Sequence, residues 1–507
     1  MLYIMTLAYL MSSLSLGFSI CSYFRIRPAF GPFLANCLIV VLLFVGGLLE
    51  KLAFVSATLK LFSLIAFLAY GGLSIARSDV RRRILLFIRD NIYFIAIITI
   101  CPFIFKNQIV GFGDEYTHWA GIVKEMASSN ALLDASSPLL YKNYHPGVSL
   151  FFYFNLFDGP YSEPLLFTSA FALNFSALNC LFARFRNFNL YLFVLLLIFM
   201  QLAFKELGLG VKTLIADQFF ICAYFGALVF IFFGSKGARN LVLLPLLAIS
   251  ITKQFGDILA LSLLAIFAAR SFELLKRRQV SERGYYWLAS KTVIQTAVIY
   301  YFSHRWDHWV DTHNMQGLFF SFMKPENIIA LFRQILTEGP SSKQMVLLKD
   351  FLPTLLKVPM VFLEVDALYV AKAWSFSRWL LIFTSVIMFI RLSSRQSRFS
   401  LKLWILPVLS LVVWATGLLI LNLRVFAASN EGPFPSLDRY LGILFSPLFL
   451  FACYLLYIQS ITSFKKSYRG VGIFLLSFLV IVAPCPDGFP LSAREKSEGR
   501  IEAAPFV

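Results

Sequence analysis

The chain has 507 residues, 59% of them hydrophobic and only 14% charged, with a formal net charge of +18 and a mean hydropathy of +0.75. A soluble fold carries about 25% charged residues and has no interior large enough for this much apolar side chain, so a water-soluble domain is excluded. The positive charge does not mark a nucleic-acid binder, because the basic residues sit in short clusters between apolar spans, where the positive-inside rule places them.

Apolar runs of roughly 20 residues, enough for a helix to cross about 30 Å of hydrocarbon, recur along the chain. They are continuous and do not alternate, which argues against a transmembrane barrel. The expected spans lie near 2–23, 31–49, 54–76, 91–107, 163–182, 187–203, 217–234, 240–254, 257–272, 286–303, 370–391, 403–423, 440–459 and 470–486, about 14 in all. The first segment has no basic leading region and no clear cleavage site, so it reads as a retained span. The seven Cys fall almost entirely within apolar spans and form no CxxC pair. They read as small buried hydrophobes, with neither a disulfide frame nor a metal site.

The apolar piece 145–158 decides the topology. If it lies at the membrane surface, the basic clusters all share one side: Arg25/Arg27, Arg77 with Arg81, Arg82 and Arg83, Arg184/Arg186, Lys236/Arg239, Lys276 to Arg278, Arg391/Arg395/Arg398 and Lys465/Lys466. That side is then cytoplasmic and both termini face outward. Two long loops, near 108–162 and 304–369, lie outside. The expected fold is an all-α polytopic membrane helix bundle over 1–486, its outer loops carrying juxtamembrane helices, followed by a polar tail, 487–507. No repeat of 20–50 residues and no low-complexity segment is visible.

All five His (118, 145, 304, 308 and 313) fall in the two long outer loops. The first loop opens Gly-Phe-Gly-Asp114-Glu115-Tyr-Thr-His118-Trp119. Asp114 and His118 are four apart and share a helix face, so the carboxylate can act as a general base oriented by the His. The same pattern fits a helix N-cap with acidic residues in its first turn. Trp119 to Met126 reads as an amphipathic surface helix. The loop closes Tyr141-Lys-Asn-Tyr-His145-Pro146-Gly147, and the aromatic stretch after it reads as a second interfacial helix.

A DE pair just past a span, followed by juxtamembrane helices and a Tyr-x-x-Tyr-His-Pro turn, resembles the GT-C superfamily of membrane glycosyltransferases. That superfamily includes protein O-mannosyltransferases and bacterial enzymes that take sugar from a polyprenyl phosphate. The resemblance covers roughly residues 91–270. It implies that Asp114, with Glu115 beside it, is the catalytic base or acceptor-activating group. It also implies a role for an acidic residue opening a later span, the place Asp217 occupies. Two departures stand out: the family's His-Pro-Pro turn is His-Pro-Gly here, and its first outer loop follows the first span, where here it follows the fourth.

Other residues gather at the outer boundary. Lys253 interrupts two apolar spans in Ile251-Thr-Lys-Gln-Phe-Gly-Asp257, where it can meet a phosphate or pair with Asp257. His304, Arg305, Asp307 and His308 open the second loop. The HxxxH spacing with interleaved Asp suits a divalent metal but fixes no third ligand. Trp306 and Trp309 suit either a sugar platform or interface anchoring. Arg439, beside Asp438 at the mouth of a span, and Arg378, inside one, are suited to a lipid-linked phosphate; a local ion pair and snorkelling are the alternatives.

Three functions follow from these features. The first is a membrane glycosyltransferase that moves a sugar from a polyprenyl-phosphate donor to a glycan, lipid or protein acceptor, with a surface polysaccharide such as O-antigen foremost. It would sit in a bacterial inner membrane with its site facing outward, and no cofactor beyond an optional divalent metal is implied. The second is a surface-polysaccharide polymerase or ligase using a lipid diphosphate, which gives His304 to His313 and Arg439 more weight. The third is a transporter or flippase, which the scarcity of mid-membrane charge and the lack of paired half-repeats disfavour.

Overall fold

The structure, a computed structural model, describes residues 1–110, 115–157, 159–184, 214–235, 237–277, 282–315, 325–357, 359–363, 372–377, most of 380–387, 402–423 and 437–463. Asp114, Arg378, the expected spans near 187–203 and 470–486, and the tail 487–507 lie outside the described residues. The described chain is helical apart from one short antiparallel pair, β1 (Pro359–Leu363) with β2 (Lys372–Ser375).

Three helices open the bundle: α1 (Leu2–Phe24), α2 (Gly31–Leu48) and α3 (Leu52–Ala76). In hydrocarbon every backbone polar group must be satisfied within the segment, and a helix does so. Their hydroxyls follow the same rule: those of Thr6, Ser12 and Ser63 each donate to the carbonyl four residues back, at 2.9, 3.0 and 2.7 Å. Gly17 lets α1 approach the start of α2, since a Cβ there would lie 2.7 Å from the Gly31 carbonyl carbon; small residues at such crossings permit backbone contact. Ser15 donates to the Ser63 carbonyl at 3.1 Å and ties α3 to α1. Much of the remaining surface of α3, including Phe54, Phe62, Phe67 and Leu68, is exposed to the surroundings.

Next comes a bent pair, α4 (Ser78–Asp90) and α5 (Ile92–Phe105), whose axes differ by 62°. The bend is held by buried Asn91, whose amide donates to the carbonyls of Phe87 at 2.8 Å and Pro28 at 3.1 Å. Its own carbonyl accepts from Asn179 at 2.8 Å. Short helices α6 (Gly121–Ser129) and α7 (Gly147–Asn155) follow, then α8 (Glu163–Leu178), α9 (Ala216–Phe233), α10 (Leu243–Ser250), α11 (Gly256–Arg277) and α12 (Glu282–Thr312). The described chain ends with amphipathic α13 (Pro325–Thr337) and α14 (Ser342–Lys357), then α15 (Lys402–Leu421) and α16 (Leu437–Ser463).

Among the described residues, six helices are long and apolar enough to cross a membrane, or seven if the bent pair is counted as one span. They are the spans that α1, α2, α3, α8, α9 and α11 form, and they define a membrane-embedded helical protein. Shorter apolar helices occupy Asn240–Ser250, Leu406–Ile420 and Tyr440–Ala452, within three further expected spans.

Two expectations change. The piece 145–158 is expected to be an interfacial helix and not a span; it does not span, but its helix is enclosed by protein. It forms the nine-residue α7, all of it buried against α2, α6 and α8; nine residues rise only about 14 Å, too little to cross, and an apolar helix that is hydrophobic all round is stable only when enclosed. The second loop was expected to start at His304, but α12 continues as one helix to Thr312; the propensities of 301–312 are weak, and the buried Trp306 and Val310 anchor its last turns by tertiary packing.

The Asn91 clamp yields a test. Asn91→Ala strips two carbonyls and Asn179 of their buried partner, and should lower stability in detergent by about 1–3 kcal/mol. The check is the thermal midpoint of the purified protein, where an unchanged midpoint would contradict the role given to the clamp.

Candidate functional site

Four chain segments meet at the end of the bundle expected to face outward. The first is a π-helical turn, Glu115–Ala120, a geometry that is rare and concentrates at functional sites. Glu115 is buried, and its Oε1 accepts the backbone N–H of Leu214 at 2.8 Å. A carboxylate that opens the first loop thus fixes the chain just before α9, three residues from Asp217. His118, also buried, has Nδ1 2.7 Å from the Thr117 hydroxyl.

The second segment is the Tyr141–Pro146 turn, and it packs on the first. The His118 ring stacks on Tyr141 at 3.8 Å and lies 4.7 Å from Tyr144, which also meets Trp119 at 6.2 Å. The two motifs that carry the family resemblance are therefore in direct contact. His145 points the other way, into the core, where its ring is 6.1 Å from Trp306. Both ring nitrogens are buried without a hydrogen-bond partner among the described residues, and burial pushes the imidazole down from its usual range to about 3.

The third and fourth segments are the start of α9 and the break between α10 and α11. Asp217 and Lys253 form an ion pair at 2.8 Å, with side chains 0% and 9% exposed. The Lys253 ammonium also lies 5.5 Å from the centroid of the Tyr440 ring, at the start of α16. The Tyr440 carbonyl accepts the Trp414 indole N–H at 2.7 Å, and Phe255 meets both rings edge-on. An aromatic wall thus encloses a buried charge pair, an arrangement that strengthens electrostatic interactions by lowering the local dielectric.

The turn and the break are joined through Gly147. Its N–H donates to the Ile251 carbonyl at 2.9 Å, and a Cβ at this position would lie 2.7 Å from that same oxygen. Proline could neither donate this bond nor fit the space. The His-Pro-Gly turn, a departure from the family's His-Pro-Pro, is what this contact requires.

Trp306 is neither a platform nor an interface anchor. It is 1% exposed and donates its indole N–H to the Asn143 carbonyl at 3.0 Å. Asn143 itself went unrecognised in the sequence: its amide is fully buried with no partner among the described residues, and an Asn in a Tyr-rich turn carries no signal that separates it from an ordinary turn residue. Trp309 is half-buried and donates to the Leu133 carbonyl at 3.2 Å.

The remaining expected residues do not join the centre. His304 and His308 are exposed on the face of α12 opposite Trp306, and His304 stacks along Tyr300. Arg305 is exposed over the Tyr301 ring, and Asp307 is half-buried. All four lie in the last turns of α12, outside the four segments above. Lys253 pairs with Asp217, so the alternative pairing with Asp257 is corrected. Asp257 instead borders an apolar groove of about 440 Å³ between α11 and α12. No group of three or more His, Cys, Asp or Glu side chains suited to a metal occurs among the described residues. Asp438 and Arg439 lie in the first turn of α16, beside Tyr440, and their side chains lie outside the described residues.

The fold and this centre define a membrane-embedded helical protein with a buried ionic pair under two interlocked loop turns. No family model, no curated protein and no solved structure matches the chain.

Two outcomes follow. Lys253→Met or Asp217→Leu alone leaves a buried charge unpaired and should cost about 3–5 kcal/mol, whereas the double variant should recover much of that loss; denaturation of the three variants in detergent measures it. The second concerns pH. His145 is neutral when folded and ordinary when unfolded, so the unfolded state takes up the extra proton below about pH 6.5. The stability this confers is complete above that pH and declines as the pH falls toward 3. His145→Leu should remove this component from the pH profile, and a profile unchanged by the substitution would contradict it.

Proposed function

We propose that the chain is a membrane glycosyltransferase that transfers a sugar from a polyprenyl-phosphate donor to an acceptor on the outer face of a bacterial inner membrane, a surface polysaccharide such as O-antigen. The observation that carries the reading is the convergence of the Glu115–Ala120 turn, the Tyr141–Gly147 turn and the Asp217–Lys253 pair into one contiguous buried centre. Residues far apart in the chain, each singled out by its chemistry, gather in one place, which supports a shared role for them.

In this reading Asp114, adjacent to Glu115, takes the proton of the acceptor hydroxyl. The acceptor oxygen bonds to the anomeric carbon as the bond from that carbon to the phosphate oxygen breaks, and the phosphate leaves on its lipid. A single displacement of this kind inverts the anomeric centre. Lys253, held by Asp217, supplies positive charge for the leaving phosphate, with Arg439 placed in the neighbouring first turn of α16. Glu115 positions: its bond to Leu214 sets the start of α9 and hence Asp217. His118, in its Tyr141/Tyr144 stack, orients the turn that carries the base.

The test is genetic and chemical. Deletion of the gene should remove one sugar residue from a surface glycan, as read by mass spectrometry. The wild-type gene should restore it, and Asp114→Asn, expressed at the same level, should not, with transfer reduced by at least about a hundredfold. Full restoration by Asp114→Asn would overturn the assignment.

A further inference from the structure

Helix α4 mixes uncovered apolar and basic side chains on its outer surface. Val80, Ile84 and Phe87 face the bundle, with Phe87 buried against Phe18 at 5.5 Å and filling the space above Gly31. Away from that face Leu85, Leu86 and Ile88 are 59%, 38% and 40% exposed. At helical spacing Arg81 lies between Leu85 and Ile88, and Leu86 lies among Arg82, Arg83 and Asp79. A helix of a water-exposed domain presents a polar outer face. Uncovered apolar side chains interleaved with arginines suit the boundary between headgroups and acyl chains.

The bend sets the charge apart. α4 meets the apolar α5 at 62° through the Asn91 clamp, so the arginines project at an angle to that helix and not along its axis. Charge supplies the chemistry. From Arg77 to Asp90 the segment carries five Arg and two Asp, a net charge of +3. Arg83 pairs with Asp79 and Arg89 with Asp90, while Arg81 reaches only the Ser74 carbonyl. Arg77, Arg81 and Arg82 thus carry cationic charge that no carboxylate among the described residues balances.

We infer that α4 is an anionic-lipid docking helix. Leu85 and Ile88 enter the edge of the acyl region, and Arg77, Arg81 and Arg82 take the phosphates of acidic phospholipid headgroups in the adjoining leaflet. The guanidinium fork suits a phosphate diester better than a lone ammonium does. This goes beyond the positive-inside assignment, which asks only that basic residues lie on one side. Here particular side chains hold particular headgroups, and the helix is seated by them. It is independent of the proposed sugar transfer.

The experiment uses the full chain in bilayers of phosphatidylcholine with one-third phosphatidylglycerol. Spin-labelled phosphatidylglycerol and phosphatidylcholine report the lipid held at the protein surface. Wild type should favour phosphatidylglycerol about fivefold; Arg77→Gln/Arg81→Gln/Arg82→Gln should approach equal uptake, and the corresponding three Arg→Lys changes should retain most of the preference. These side chains are exposed, so folding is not at stake. In parallel, p-benzoylphenylalanine placed at Leu85 should form phospholipid adducts on illumination. An undiminished preference in the Arg→Gln variant, or no lipid adduct at position 85, overturns the inference.

Discussion

A carboxylate and an ammonium 2.8 Å apart, both out of reach of solvent, are the constraint on which the rest of this structure depends. Burying two charges costs several kcal/mol per ion before their attraction is counted, and only close geometry offsets it. The geometry comes from two interruptions of helix. α9 begins at Ala216, one residue before Asp217, and α10 stops at Ser250 so that Lys253 sits in a break. Each interruption exposes backbone groups that must find partners at depth. Glu115 takes the Leu214 N–H, and the Ile251 carbonyl takes the Gly147 N–H. The pair, the π-helical turn and the His-Pro-Gly turn are thus one hydrogen-bonded unit rather than three neighbouring motifs.

That unit explains the contrast between the two ends of the bundle. At one end, polar groups are enclosed: Glu115, His118, Asn143, His145, Asp217 and Lys253 are all buried. At the other, the arginines of α4 are exposed, and the enclosed polar contacts include the Asn91–Asn179 pair with its backbone carbonyls and the Tyr454 hydroxyl on the Leu181 carbonyl. An enclosed polar end suits chemistry that needs a low dielectric, while an exposed basic end suits attachment to headgroups.

Much of the bundle was legible in the sequence, because lipid imposes a length and an apolar composition that few other constraints imitate. The spans that α1, α2, α3, α8, α9 and α11 form fall where continuous apolar runs predict them. Asp217 and Lys253 were legible as charges interrupting such runs, and Glu115 and His118 as a motif. Their partners were not. Nothing local says that Lys253 selects Asp217, 36 residues away, over Asp257, four away, nor that Glu115 reaches Leu214. Both choices are made by packing between helices. α7 misled for a related reason: an apolar aromatic helix of nine residues has the same composition whether it rests on a membrane or is enclosed by protein. His304 and His308 looked like a loop cluster because polar residues usually end a span, yet Trp306 and Val310 on the opposite face hold the helix for two more turns.

The central claim is that these joined turns form the place where a lipid-linked sugar reacts. A polyprenyl phosphate bearing a photoreactive group beside the phosphate, bound to the protein in proteoliposomes and illuminated, tests it most directly. Mass spectrometry of the digested protein should then find adducts on 114–120, 251–257 or 437–440, and Lys253→Met should greatly reduce them. Adducts confined to α3 or α4, with none near Lys253, would contradict the claim.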